Sequence, residues 1–148
     1  RSTLPPNNFA ELLKWIAANK GKTNLAHSGL GSASHLCGLL FQQSLKVEMT
    51  TIPYKGTGPA MTDLLGGQVD VMCDQANNTA VQIEAGKIKA YAVTTLKPQT
   101  AAALAKLPTL DAAGLKGFNV TVWNALYAPK GTPKAVVDKL NAALRNAV

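Results

Sequence analysis

Thr23-Asn24-Leu25-Ala26-His27-Ser28-Gly29-Leu30-Gly31-Ser32-Ala33-Ser34-His35-Leu36 reads as a short strand, a glycine loop and the opening of a helix. The strand covers residues 23–27 and the helix runs over 34–45, with Leu36, Leu39 and Leu40 expected to face inward. Gly29 and Gly31 allow backbone conformations closed to other residues and let a partner approach closely. A strand leading through such a loop into a helix is half of a parallel crossover unit. The question for the rest of the chain is whether that unit repeats.

It does. Upstream, Phe9, Leu12, Leu13, Ile16 and Ala17 recur at helical spacing behind Asn7-Asn8, and Glu11 sits three residues past Asn8 as in a capping box. Downstream, residues 47–53 form a β-branched strand, Thr57-Gly58-Pro59 opens a helix, and Gly66-Gly67 closes it. Residues 69–73 make a strand, 78–85 a helix ending at Gly86, and 88–95 another strand. Beyond the alanine-rich 100–106 and the loop-like 108–117, a strand over 120–127 precedes a helix from Thr132-Pro133 to Val148. That helix carries Val136, Val137, Leu140 and Leu144 on one face. Strands alternating with helices predict an α/β fold, a parallel or mixed sheet flanked by helices.

Composition narrows the function. The 148 residues are 47% hydrophobic and 16% charged, against ~25% charged in an ordinary globular domain. The net charge of +7 comes mainly from dispersed lysines, with only Arg1 and Arg145 as arginines. No finger, homeodomain or RNA-recognition motif accompanies that charge, so no nucleic-acid partner is expected and the excess reads as a mild bias toward anions. No apolar run is long enough to cross a membrane. The start, Arg1-Ser2-Thr3, shows no charged-then-apolar leader, as a mature or truncated start equally would. Cys37 and Cys73 lack zinc-site spacing, and with only His27 and His35 available no metal site is expected. The two cysteines are either buried small hydrophobes or one disulfide, and the latter requires an oxidising compartment.

In parallel α/β sheets ligands bind beyond the carboxyl ends of the strands. Three loops lie there. In Ser28, Gly29, Leu30, Gly31 and Ser32, free N–H groups and hydroxyls suit a carboxylate or phosphate; a tight turn is the plainer reading. It is neither a Walker loop nor GxGxxG, so no nucleotide cofactor is implied. Tyr54, Lys55, Gly56 and Thr57 offer a hydroxyl and a cation, or else a solvated lysine and a tyrosine packed over the turn. Asp74, Gln75 and Ala76 lead into a helix, where Asp74 caps it or accepts from a ligand. No nucleophile-and-base constellation such as GxSxG or HExxH occurs. Binding without turnover fits better than an enzyme. The alternative is a small α/β enzyme on a phosphorylated or carboxylated substrate, with Lys55 or His35 as acid or base.

The string also resembles a family. Leu25-Ala26-His27-Ser28-Gly29-Leu30-Gly31-Ser32-Ala33-Ser34-His35-Leu36 matches its S-x-G-x-G-S-x-x-H-L segment, and Pro53-Tyr54-Lys55-Gly56 with Asp63-Leu64-Leu65-Gly66-Gly67-Gln68-Val69-Asp70 matches PYKG…DLLGGQVD. Ala85-Gly86-Lys87-Ile88-Lys89-Ala90-Tyr91-Ala92-Val93-Thr94 is similar to AGKLRALAVT, and Ala128-Pro129-Lys130-Gly131-Thr132-Pro133 completes the order. These motifs resemble the Bug family, the TctC-like extracytoplasmic solute receptors of tripartite tricarboxylate transporters. The resemblance implies one lobe of a two-lobed periplasmic binding fold of type II kind that closes on a small carboxylate and presents it to membrane permease subunits. It implies that residues 28–32, 54–57 and 74–76 line the cleft, with His35 behind them, and that Cys37 and Cys73 lie outside the motif. Family members are about twice as long, so residues 1–118 are expected to be the second lobe. Residues 119–148 are then the piece that crosses back to a first lobe missing here. Without that lobe, the tail's apolar face is expected to pack on its own lobe or on another copy.

Overall fold

The computed structural model describes residues 1–147. Eight elements follow in chain order: α1 (Phe9–Ala18), β1 (Asn24–His27), α2 (Ala33–Leu45), β2 (Thr50–Pro53), α3 (Thr57–Gly66), β3 (Val71–Met72), α4 (Ala76–Glu84) and α5 (Lys134–Ala147). The strands form a wholly parallel sheet in the order β2-β1-β3. Central β1 sets Leu25 beside Thr51 and Val71, and Ala26 beside Ile52 and Met72.

Alternation along β1 divides the core, because successive strand side chains point to opposite faces. Leu25 joins Phe9, Leu12, Ile16, Cys37, Met49, Leu110 and Phe118 on one face. Ala26 joins Ala60, Met61, Leu64, Val69 and Ile88 on the other. α1 reaches its face through the expected cap: Asn8 Oδ1 accepts from Glu11 N at 2.9 Å, while Glu11 Oε2 accepts from Asn7 N at 2.8 Å. α2 lies close on β1 because Gly38 has no side chain; a Cβ there would stand 2.9 Å from Leu25 Cδ2. Buried Asp70 accepts from Asn24 N at 2.9 Å and pairs with Arg1 at 3.1 Å, tying the chain start to the sheet edge.

Several expectations are corrected. Leu36, Leu39 and Leu40 face outward, 52%, 43% and 45% exposed. The inward face of α2 is Ser34, Cys37 and Gly38, small residues that suit a helix set tightly on the sheet. Residues 88–95 are not a strand: only Val93 bridges, to Thr109, with Val93 N donating to Pro108 O at 2.9 Å. Residues 120–127 are not a strand either. Val120 N donates to Thr94 O at 3.0 Å, but 121–127 are exposed with no ladder partner among the described residues. Both runs have strand-forming composition, and neither has a neighbouring strand to take its backbone groups. α5 forms as expected up to Ala147, Val148 lying outside the described residues, but it does not pack on its own lobe. None of its residues is buried, and Val136, Val137, Leu140 and Leu144 are 41–46% exposed.

Candidate functional site

Parallel topology puts the N-termini of α2, α3 and α4 at one end of the sheet, just past β1, β2 and β3. The three predicted loops therefore meet. Gly56 N donates to Ser28 O at 3.1 Å, joining the second loop to the first. Thr57 Oγ1 lies 3.4 Å from Asp74 Oδ1, joining the second to the third.

The first loop is wound around two histidines. Ser32 caps α2, its Oγ accepting from His35 N at 3.2 Å and donating to Gly29 O at 2.7 Å. His35 Nδ1 accepts from Gly31 N at 3.1 Å. Buried His27 holds Gly29 through Nδ1, 3.0 Å from its carbonyl and 3.3 Å from its amide, with the two imidazole centroids 4.3 Å apart. Gly29 and Gly31 have φ of 132° and 74°, and Gly29 passes close to the Tyr54 carbonyl, where a Cβ would lie 3.5 Å away. This winding leaves the N–H groups of Leu30, Ala33 and Ser34 and the Ser28 hydroxyl without hydrogen-bond partners among the described residues. Leu30 itself is 81% exposed at the tip.

At the second loop, the Tyr54 hydroxyl donates to Asp63 Oδ2 at 2.6 Å, and this bond, aided by desolvation, raises the phenol from 10.0 to about 12. Its proton is committed to Asp63, so it supports the loop from behind. Lys55 is exposed and makes no ion pair among the described residues. α3 has Gly56 at its cap position and so no side-chain cap. At the third loop, Asp74 Oδ1 accepts from Gln75 N at 2.8 Å and from Asn78 Nδ2 at 3.3 Å, while Oδ2 is buried without a partner. The cap position proper falls to Gln75, whose side chain makes no cap bond. A cavity of about 620 Å³ runs beside this loop, lined by Ser34, Asp74, Gln75, Ala76, Thr94 and Asn124 among others, and not by the first two loops.

Two N-termini without side-chain caps and a third with spare amides give a positive potential and idle donors at one place. Such an arrangement holds an anion by backbone hydrogen bonds. Among the described residues no group of three or more potential metal ligands occurs, and no helix is long and apolar enough to cross a membrane.

Sequence reasoning missed two contributors and left a third open. Ser34 donates from Oγ to Cys73 O at 2.6 Å and has a spare amide; counting the orphan amides of a helix start extends the site past Ser32. Asp63 sets the Tyr54 proton, a pairing across nine residues with no local signal. Cys37 and Cys73 are joined as a disulfide, Cα atoms 6.1 Å apart, which resolves the two readings of these cysteines.

All 148 residues match the model of the tripartite tricarboxylate transporter family receptor. A UPF0065 protein in the TAR-I ttuE-ttuC' intergenic region of Agrobacterium vitis is 45% identical over 148 residues, covering 100% of this chain and 42% of its own. The solved periplasmic binding protein BugD is 56% identical with a TM-score of 0.88, over 97% of this chain and 48% of its own. MatC (Rpa3494) from Rhodopseudomonas palustris, solved with bound malate, is 41% identical with a TM-score of 0.87, over 99% and 49%. The chain thus spans about half the length of these relatives, as one α/β lobe of a periplasmic binding fold. It belongs to the tripartite tricarboxylate transporter receptor family, the Bug or TctC solute-binding proteins.

Proposed function

We propose that this chain supplies one lobe of a periplasmic receptor that captures a small carboxylate and hands it to the membrane permease subunits of a tripartite transporter. The observation that carries the reading is the convergence of three helix N-termini, with unpaired N–H groups at Leu30 in the first loop and at Ala33 and Ser34 opening α2. These groups hold a carboxylate without chemistry being done on it. The bound malate of MatC, a relative similar over 99% of this chain, supports the same class of solute.

On this reading residues 28–32, 54–57 and 74–76 form one wall of a cleft and His35 holds the first loop in shape. Residues 1–118 are the lobe, and 119–148 the strap toward an opposing lobe or, in its absence, a second copy. Solute bridging two walls binds the closed form better than the open one, and that differential affinity is the signal a permease reads. With a single wall, affinity should be millimolar or weaker, ~4 kcal/mol at most.

Titration of the ¹⁵N-labelled chain with L-malate tests this in the weak regime. Amide shifts confined to Leu30, Ala33, Ser34, Gly56, Gln75 and their neighbours are expected. Absence of any shift there at tens of millimolar malate, citrate and glutamate overturns the reading.

A further inference from the structure

The third cleft loop is poorly held by ordinary means. β3 is two residues long and, among the described residues, pairs only with β1. α4 buries none of its residues, and its cap position makes no side-chain bond. Between them, Asp74, Gln75 and Ala76 start directly after Cys73, which is bonded to Cys37 on the second turn of α2. Cys37 is 3% exposed in the core, and α2 begins at the cap of the first loop. One turn earlier on the same inward face, Ser34 Oγ donates to Cys73 O at 2.6 Å. The disulfide and this hydrogen bond thus clamp the end of β3 to the helix that carries the first loop.

We propose that the Cys37–Cys73 disulfide is the positioning element of the third cleft loop, so that solute binding at that loop depends on its oxidised state. This rests on the carboxylate-binding reading above. Cleaving the bond with a dithiol converts each sulfur to a thiol, with two electrons and two protons coming from the reductant, which leaves as its own disulfide. The core on both sheet faces then keeps its apolar contacts. Toward the rest of the lobe, the segment from Cys73 to Thr79 then keeps the Ser34 bond to Cys73 O and the contact of Asp74 Oδ1 with Thr57, its other side-chain hydrogen bonds running within residues 74–79. A loop so weakly tied samples many conformations, and its amides no longer stand where the other two loops need them.

The test compares oxidised chain, dithiothreitol-reduced chain and Cys37→Ala/Cys73→Ala chain, by amide hydrogen exchange and by the ¹⁵N titration with L-malate. Expected are exchange accelerated at least tenfold at Gln75, Asn78 and Thr79 with Leu25 and Ala26 unchanged, and loss of malate shifts at the third loop. Shifts at Gly31 and Ser34 persist at several-fold higher malate, and reoxidation restores the original titration. Unchanged exchange at residues 75–79 overturns the proposal, as does a malate response identical in all three samples. Uniform acceleration that includes Leu25 and Ala26 also overturns it, because the bond then holds the lobe and not the loop. A chain that responds to no carboxylate when oxidised sinks the binding reading instead, and the exchange pattern alone then decides the positioning claim.

Discussion

Tyr54 and His35 show how single side chains hold loops in shape, the one through Asp63 and the other through Gly31. Folding raises the Tyr54 phenol from 10.0 to about 12, chiefly through its bond to Asp63. The neutral form is the one favoured, so this bond contributes fully below pH 10.0 and its contribution fades as pH rises through about 12. An ultraviolet titration should therefore find a phenol ionising near pH 12 in the native chain, and Asp63→Asn should return it toward 10. An unshifted transition in the native chain would contradict the bond. His35→Ala removes the acceptor for Gly31 N, at a cost of about 1 kcal/mol, and should speed amide exchange at Gly31. Equal denaturation midpoints and equal exchange would show that the imidazole does not hold the loop. The place of His35 at the start of a helix, beside the first loop, was legible from its neighbours; nothing local says which nitrogen meets which amide. Asp63 was not legible at all, since its tie to Tyr54 exists only once α3 has formed.

Among the elements, those whose signals are written into adjacent residues were read correctly. Asn8 and Glu11 announce α1, Gly67 ends α3, and the glycine loop separates β1 from α2. Asn8→Ala should cost α1 about 1 kcal/mol, whereas Gln75→Ala should leave stability within about 0.5 kcal/mol because its side chain makes no cap bond. Paired thermal melts check both, and equal losses would mean that the caps are misassigned. Two runs that need a distant partner were misread. Residues 88–95 and 120–127 have the composition of strands, yet a strand exists only where a neighbour accepts its ladder. α2 was read with its leucines inward because apolarity usually marks the core. Here closeness to the sheet matters more, so Gly38 and Cys37 take the inner face.

For the whole molecule, the tail and the core are nearly independent. Every residue from 121 to 131 is exposed and α5 buries nothing. Ending the chain at Ala125 should therefore leave the melting temperature of the core unchanged within a degree or so, since exposed segments contribute little. The intact chain should associate with rising concentration in light scattering and the shortened chain should not. A fall of several degrees on shortening would show that α5 covers the core after all. The fold class was legible because the alternation of strands and helices is a property of the entire string. The resting place of α5 was not, because its apolar face calls for a surface that residues 1–118 do not provide.

That bare face has a consequence for how long the chain survives. Cellular quality control recognises exposed apolar helices and cuts extended segments first. Lys130 is exposed in the turn that ends such a segment, at the approach to α5. Proteolysis of the folded chain is therefore expected to begin at this joint. A trypsin-like protease would clip off α5 long before it touched β1, leaving a shorter lobe with the loops 28–32, 54–57 and 74–76 in place.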